Sequence, residues 1–421
     1  MFSGQKYNHL ANGANDDDDT DPILPVTENI DINNSNNNNT DNNDYSNTSF
    51  YNGNGHNVDG KVPSTAVHRI ETSFNPAKTW AKVRAHKLSA WDLQYVVLVG
   101  VGVFSLFVME EPTWPWRIAA LFALVVGLAV PVTSQVVFPL LPIFGWLVLF
   151  GSCPYIPTAW RPQISVTVLP TLETVLYGGN LSEMLASRPS AVGDVLAWLP
   201  YGVMHYGAPF VVAILLFVFA SPGTLPVFAR AFGYMNLTGV TIQLMLPNAP
   251  PWYEAANGFA PANYSMHGSP GGLARVDDLL GINLYSSAFG ASPLVFGALP
   301  SLHSGFAVME ALFLTHVFPR LGPLFFTYVG WIWWSTMYLT HHYFIDLMGG
   351  AVLAISGFTI AQRNFLPAAQ EGKSSRWQYE YIELTDYDNG GLQRQQSFPL
   401  QRVPPGGRKL SKVSYDERQG Y

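Results

Sequence analysis

Residues 321–362 read LGPLFFTYVGWIWWSTMYLTHHYFIDLMGGAVLAISGFTIAQ. Two apolar runs, 321–341 and 343–362, meet at His341-His342-Tyr343-Phe344-Ile345-Asp346, and Asp346 is the only charged side chain between Arg320 and Arg363. A helix needs about 20 consecutive apolar residues to cross the hydrocarbon core of a bilayer. Each run has that length, so the stretch reads as two spanning helices joined by a short polar turn. Working outward, six more apolar stretches occur at about 91–109, 117–134, 136–152, 194–220, 227–246 and 299–318. The expected fold is an all-α polytopic membrane protein with about eight spanning helices. The range is six to eight because the second and third stretches are separated only by Ser134-Gln135 and carry Pro131, Pro139 and Pro142. They can cross or form a re-entrant pair, and either way the number of crossings is even.

Composition supports this reading. Charged residues make up 12% of the 421 residues, about half the roughly 25% of a soluble protein. From Trp91 to Gln362 there are 11 acids and 6 arginines, and no lysine occurs between Lys87 and Lys373. That pattern excludes a soluble enzyme and a nucleic-acid binder, which needs a basic surface. The net charge of −7 comes partly from the run Asp16 to Asp19 and says nothing about substrate. The single cysteine, Cys153, excludes an intramolecular disulfide, a cysteine zinc cage and an iron–sulfur cluster. Met1 to Leu10 lacks the apolar core of a cleavable signal peptide.

The chain divides into four regions. Residues 1–65 form an Asn- and Asp-rich arm, expected to be disordered because it cannot bury enough apolar surface. Its sequons at Asn33, Asn38 and Asn47 matter only if the arm is lumenal. Residues 66–90 form a basic juxtamembrane segment with Arg69, Lys78, Lys82, Arg84 and Lys87. Residues 91–365 form the transmembrane catalytic domain, and 366–421 a polar tail. The positive-inside rule places the basic segment in the cytosol, and Arg363, Lys373 and Arg376 place the tail there too. The long connections 153–193 and 247–298, rich in Pro, Gly and aromatics, are then expected as ordered lumenal caps.

Two motifs carry chemistry. Pro300-Ser301-Leu302-His303-Ser304-Gly305 opens the sixth stretch, where a first helical turn offers free N–H groups and a positive dipole end. His342 and Asp346 lie four residues apart and share a helix face. A carboxylate bonded to an imidazole fixes its tautomer and leaves the other nitrogen free to attack. The sixth stretch runs away from the lumenal face and the seventh returns, so His303 and His342 reach the same face. Read on their own, the His–Asp pair also fits a structural hydrogen bond, and two histidines with an aspartate also fit a zinc site. His205 and His316 read as interfacial or capping residues.

These motifs resemble the second and third motifs of the type-2 phosphatidic acid phosphatase superfamily, membrane enzymes with a histidine nucleophile and a second histidine as general acid. The resemblance is closer still to the fungal inositol phosphorylceramide synthase family, the target of aureobasidin-type antifungals. It rests on Trp333 through Phe344, Ala262 through Arg275, Arg161-Pro162 with Leu172-Glu173-Thr174, and Gly233-Tyr234-Met235-Asn236, and it covers about residues 80–365. It implies transfer of phosphoinositol from phosphatidylinositol to the 1-hydroxyl of ceramide, in sphingolipid biosynthesis. It also implies Golgi residence and a small regulatory membrane subunit. On this reading His342 is the nucleophile, Asp346 orients it, and His303 is acid and then base. Arg161, His267, Arg275, Ser301 and Ser304 are candidates to bind substrate, although Arg275 can equally pair with Asp277 or Asp278. No metal or other cofactor is called for.

The sequence departs from the broader phosphatase pattern in ways that bear on substrate. That pattern has an arginine after the serine that precedes the histidine, where this chain has Ser335-Thr336, and no lysine stands before Arg161-Pro162 at the pattern's spacing. A phosphomonoester is close to a dianion and favours several cations, whereas a phosphodiester carries one negative charge. The alternatives are a lipid phosphate phosphatase acting on lumenal monoesters, and a non-enzymatic lipid-binding scaffold or transporter.

Overall fold

The computed structural model describes residues 67–382, together with the two-residue strands Phe50–Tyr51 and Asn57–Val58. The expectation of disorder in the arm falls, apart from those four residues, outside the described residues, as does the tail beyond residue 382. Fifteen α-helices follow one another among the described residues. The first four are α1 (Pro76–Ala85), α2 (Leu93–Val108), α3 (Trp114–Ala129) and α4 (Pro131–Ser152). Three short helices, α5 (Val168–Tyr177), α6 (Leu181–Ala186) and α7 (Ala191–Trp198), lead to α8 (His205–Phe219) and α9 (Thr224–Met245). Then come α10 (Pro251–Asn257), α11 (Leu273–Leu280), α12 (Leu284–Gly290), α13 (Leu302–Val317), α14 (Gly322–Tyr338) and α15 (Phe344–Asn364).

All eight apolar stretches are helical. Among the described residues, four helical segments are long and apolar enough to cross a membrane: Ala90–Val108, Pro131–Tyr155, Ala191–Phe219 and Phe344–Asn364. The third is α7 and α8 joined by a π-helical turn, Leu199–Met204. Helices α3 and α13 have 16 residues and α14 has 17, about the shortest length that spans. Helix α9 has 22 residues but carries Arg230, Asn236 and Gln243. Pro139 and Pro142 lie inside α4 without ending it, so that stretch is one continuous helix of 22 residues. Prolines are tolerated in such a setting because neighbouring helices satisfy the backbone groups they free.

Helices α8, α9, α13, α14 and α15 enclose the main core, built from Leu216, Phe228, Phe232, Met309, Phe313, Ile332 and Ala354. Helix α2 is peripheral and exposes Val96, Val99, Val103 and Phe107, as a lipid-facing surface does. Small residues bring backbones together where lipid supplies no hydrophobic drive between helices. At Gly233 of α9, a Cβ would lie 2.7 Å from the carbonyl carbon of Pro142 in α4. At Gly350 of α15, a Cβ would collide with the carbonyl oxygen of Ser301 and stand 3.0 Å from the Gly305 nitrogen.

The two long connections are ordered and joined to each other. Ser165 and Gly297 form bridges on either side of Asn248. The Ser165 N–H donates to Pro247 at 2.9 Å, and the Asn248 N–H donates to Phe296 at 2.8 Å. These bonds fix residues 296–298, and through them the start of α13.

Gly350→Ala overpacks the α13–α15 contact, and overpacking costs about 1–3 kcal/mol. The expected result is a lower thermal unfolding midpoint in detergent together with lost activity. Gly330→Ala, where a Cβ meets nothing within 4 Å, leaves both unchanged.

Candidate active site

The N-termini of α13 and α15 meet side by side. The Ser301 N–H donates to the Asp346 carbonyl at 2.9 Å. Ser301 is the N-cap of α13, and its hydroxyl accepts from the Ser304 N–H at 3.3 Å. The Ser304 hydroxyl donates to the Leu347 carbonyl at 2.7 Å and accepts from the Trp333 indole at 2.9 Å. Both serines are fully buried, and the Ser304 hydroxyl ties α13, α14 and α15 together.

His342 arrives on an unusual turn. Helix α14 ends with the Thr340 N–H donating to Met337 and the His341 N–H to Thr336, both at 2.9 Å. That pair of bonds is a Schellman motif, in which glycine normally takes the left-handed position. Here Thr340 takes it, with φ +61°. A left-handed L-residue costs roughly 1–2 kcal/mol, and β-branching adds to it. The turn delivers His341 and His342 back toward α13 within two residues.

Glu173 of α5 holds the other side of this turn. It is fully buried, and one carboxylate oxygen accepts from the backbone N–H groups of Phe344 and Ile345, the latter at 3.2 Å. Its other oxygen accepts from the Leu181 N–H at 2.9 Å, at the start of α6. A carboxylate at a helix N-terminus satisfies orphan donors and opposes the dipole. Glu254 adds a second tether, accepting from Tyr343 Oη and Asn180 Nδ2, both at 2.9 Å.

The result is a relay of three side chains. Asp346, fully buried in the first turn of α15, accepts from His342 Nδ1 at 3.0 Å. With Nδ1 carrying the proton, His342 Nε2 has a free lone pair. It lies 3.1 Å from His303 Nδ1, which must then be the donor. The structure therefore brings together all three residues expected to be catalytic. A nitrogen lone pair and an N–H donor lie side by side there, so a phosphoryl group seated between them meets a nucleophile on one side and a proton donor on the other.

Two further histidines border the relay. The His205 ring of α8 packs at a tilt against His303 at 4.6 Å, and the Tyr201 ring packs likewise against His303 at 4.6 Å and His341 at 5.2 Å. His341 is itself fixed, with Nε2 donating to the Pro270 carbonyl at 2.9 Å and its ring stacked on Phe289 at 4.5 Å. His205 reads in sequence as an interfacial or capping residue, and its place against His303 depends on the tertiary fold.

The expected substrate-binding residues divide. Ser301 and Ser304 lie at the relay. Arg161 donates to the carbonyls of Ile156, Cys153 and Pro154 at 2.6–3.1 Å and lies 4.8 Å from the Tyr264 ring centre. Arg275 forks onto Asp194 at 2.7–3.1 Å, and that carboxylate raises its pKa. Its partner is thus neither Asp277 nor Asp278. Asp277 instead accepts from the N–H groups of Leu284, Tyr285 and Ser286. His267 is exposed on the second cap. Trp331, Trp333 and Trp334 lie on α14. The indoles of the first two donate to the Leu196 carbonyl and Ser304 Oγ, and the third stacks on Tyr338 at 5.1 Å.

Residues 171–360 match the PAP2 superfamily model. The chain is 53% identical to the inositol phosphorylceramide synthase catalytic subunit of Schizosaccharomyces pombe, over 75% of each chain. It is 46% identical to inositol phosphorylceramide synthase of Candida albicans, over 77% of this chain and 69% of that one. It is 49% identical to the catalytic subunit of Saccharomyces cerevisiae, over 82% of this chain and 86% of that one. Matches of that identity and extent leave one conclusion: the chain belongs to the inositol phosphorylceramide synthase family, with a helical core of the PAP2 superfamily.

Proposed function

We propose that this protein transfers phosphoinositol from phosphatidylinositol to the 1-hydroxyl of ceramide and releases diacylglycerol. The observation that carries the reading is the relay from Asp346 through His342 to His303, at 3.0 and 3.1 Å. The reaction proceeds in two displacements. The His342 Nε2 lone pair attacks phosphorus, forming an N–P bond as the P–O bond to diacylglycerol breaks. His303, which enters this step as the imidazolium, gives one proton to the departing oxygen and is left neutral. Asp346 stabilises the positive charge that forms on His342. The ceramide hydroxyl then loses its proton to His303 and attacks phosphorus, and the N–P bond returns its electrons to His342. The second step mirrors the first, so both histidines end as they began.

The charge inventory favours a diester over a monoester. Thr336 stands where the phosphatase pattern has an arginine, and its hydroxyl donates to the Trp333 carbonyl at 2.9 Å. Arg161 and Arg275 are engaged with carbonyls and with Asp194. A singly charged phosphodiester needs fewer cations than a dianionic monoester. The rest of the reading follows the family: a Golgi membrane, both termini in the cytosol, and the relay facing the lumen. Two relatives are named as catalytic subunits, which supports a companion membrane subunit.

Purified protein given phosphatidylinositol and ceramide is expected to make inositol phosphorylceramide. His342→Ala and His303→Ala each lower the rate by at least about 1,000-fold, and Asp346→Asn by about 100-fold or more. Inorganic phosphate from a lipid monoester with no inositol phosphorylceramide would reject the reading. Full cellular lipid product from His342→Ala would leave the scaffold alternative.

Glu173 generates a separate expectation. Glu173→Gln keeps an acceptor for one helix start, whereas Glu173→Ala leaves three N–H groups without their acceptor. Small displacements of a reacting group cost on the order of 100-fold in rate. The measured kcat should fall in the order wild type, Gln, Ala, with the alanine loss near that size and KM for ceramide little changed. Equal rates for all three would remove Glu173 from the positioning of His342.

A further inference from the structure

Tyr201 sits at the centre of the π-helical turn Leu199–Met204, which joins α7 to α8. Such turns insert a residue into the helical ladder and are frequent at functional sites. This one is held rigidly. Tyr285 Oη donates to the Gly202 carbonyl at 3.3 Å, and a Cβ at Gly202 would lie 2.6 Å from Trp198 Cδ1 and 2.7 Å from Tyr285 Oη. The effect is to turn the Tyr201 ring onto His303 and His341, at 4.6 and 5.2 Å.

The ring is only 3% exposed, yet its hydroxyl is buried with no hydrogen-bond partner among the described residues. A buried phenol normally finds one. With its ring packed against His303 and His341, the tyrosine carries this unspent donor in the layer of side chains that borders the relay. The phosphoryl oxygens need donors there, because the nearby chain offers few cations. Thr336 replaces the arginine of the phosphatase pattern, and the Arg275 fork is closed on Asp194. In the first turn of α13, the Ser304 N–H is taken by Ser301, while the N–H groups of Leu302 and His303 have no acceptor within the helix.

We propose that Tyr201 Oη donates a hydrogen bond to a non-bridging oxygen of the phosphodiester during transfer, as a neutral replacement for the arginine the chain lacks. The proton stays on tyrosine throughout, so the balance of the two displacements is unchanged. With the first amides of α13, the hydroxyl forms a cradle of neutral donors suited to a single negative charge. This rests on the transferase reading of His303 and His342.

The test is Tyr201→Phe in the full-length protein, which keeps the ring and removes only the hydroxyl. Loss of one such donor lowers kcat by about 100-fold. That loss is expected with an unchanged thermal midpoint and an unchanged KM for ceramide. The second measurement uses the two phosphorothioate diastereomers of phosphatidylinositol. Wild type distinguishes them, because sulfur at the contacted position accepts a poorer hydrogen bond, and Tyr201→Phe should narrow their rate ratio by about 10-fold or more. A wild-type kcat overturns the proposal. So does a slow variant with an undiminished diastereomer ratio, which would mean a structural role. His342→Ala run alongside separates the two readings. If it is inactive while Tyr201→Phe matches wild type, only the role of Tyr201 falls. If it is active, the transferase site itself is wrong and the tyrosine proposal falls with it.

Discussion

The site depends on two helix starts pressed against each other. Gly350 lets α15 approach α13 until its backbone meets the Ser301 carbonyl, and the Ser301 N–H closes on the Asp346 carbonyl at 2.9 Å. Ser304 adds a bond to Leu347 at 2.7 Å. Once that junction is made, His303 in one first turn must face Asp346 in the other, with His342 between them. Every other part of the site tightens the same junction: Glu173 caps α15, Glu254 holds Tyr343, and the bridges at Asn248 fix the approach to α13. The junction also needs few charges. A buried carboxylate that accepts backbone N–H groups at a helix start is compensated without a cation.

Much of this was legible in the sequence because the membrane leaves few choices. Backbone groups in lipid must be satisfied locally, so long apolar runs become helices, and all eight runs are helical here. The meeting of His303 with His342 followed from counting crossings. The His342–Asp346 bond followed from their spacing of four. The positions that escaped sequence reasoning depend on tertiary contacts. Thr340 is a poor candidate for a left-handed turn, and only the surrounding bonds reveal it. Nothing in the run Val192 to Phe219 marks a π turn at Tyr201. Glu173 was visible as part of a family resemblance, but its role as the cap of α15 depends on a partner 171 residues away. Arg161 and Arg275 are candidates through the family resemblance, and the fold engages both with local partners.

That scarcity now has a structural counterpart. Around the relay, His205, His341, the buried serines and an unspent phenol are neutral groups, and the relay itself holds only the Asp346 carboxylate and the proton that His303 passes on. Such a site suits a substrate that enters with one negative charge and keeps it, as the proposed exchange of one phosphodiester for another does. The tautomers are linked as well. The Asp346 carboxylate directs the proton to His342 Nδ1, and this leaves Nε2 as acceptor from His303. His342 and His303 satisfy each other across 3.1 Å, and on the proposed mechanism the phosphoryl group must part them.

The proposed mechanism requires a covalent phosphoinositol on His342. The direct measurement is peptide mapping by mass spectrometry after wild-type protein is mixed with phosphatidylinositol, without ceramide, and quenched under alkaline conditions that preserve phosphohistidine. A phosphoinositol adduct on His342 that disappears when ceramide is added is the predicted result. No adduct on His342 while transfer proceeds at the normal rate, or an adduct on a different residue, would contradict it.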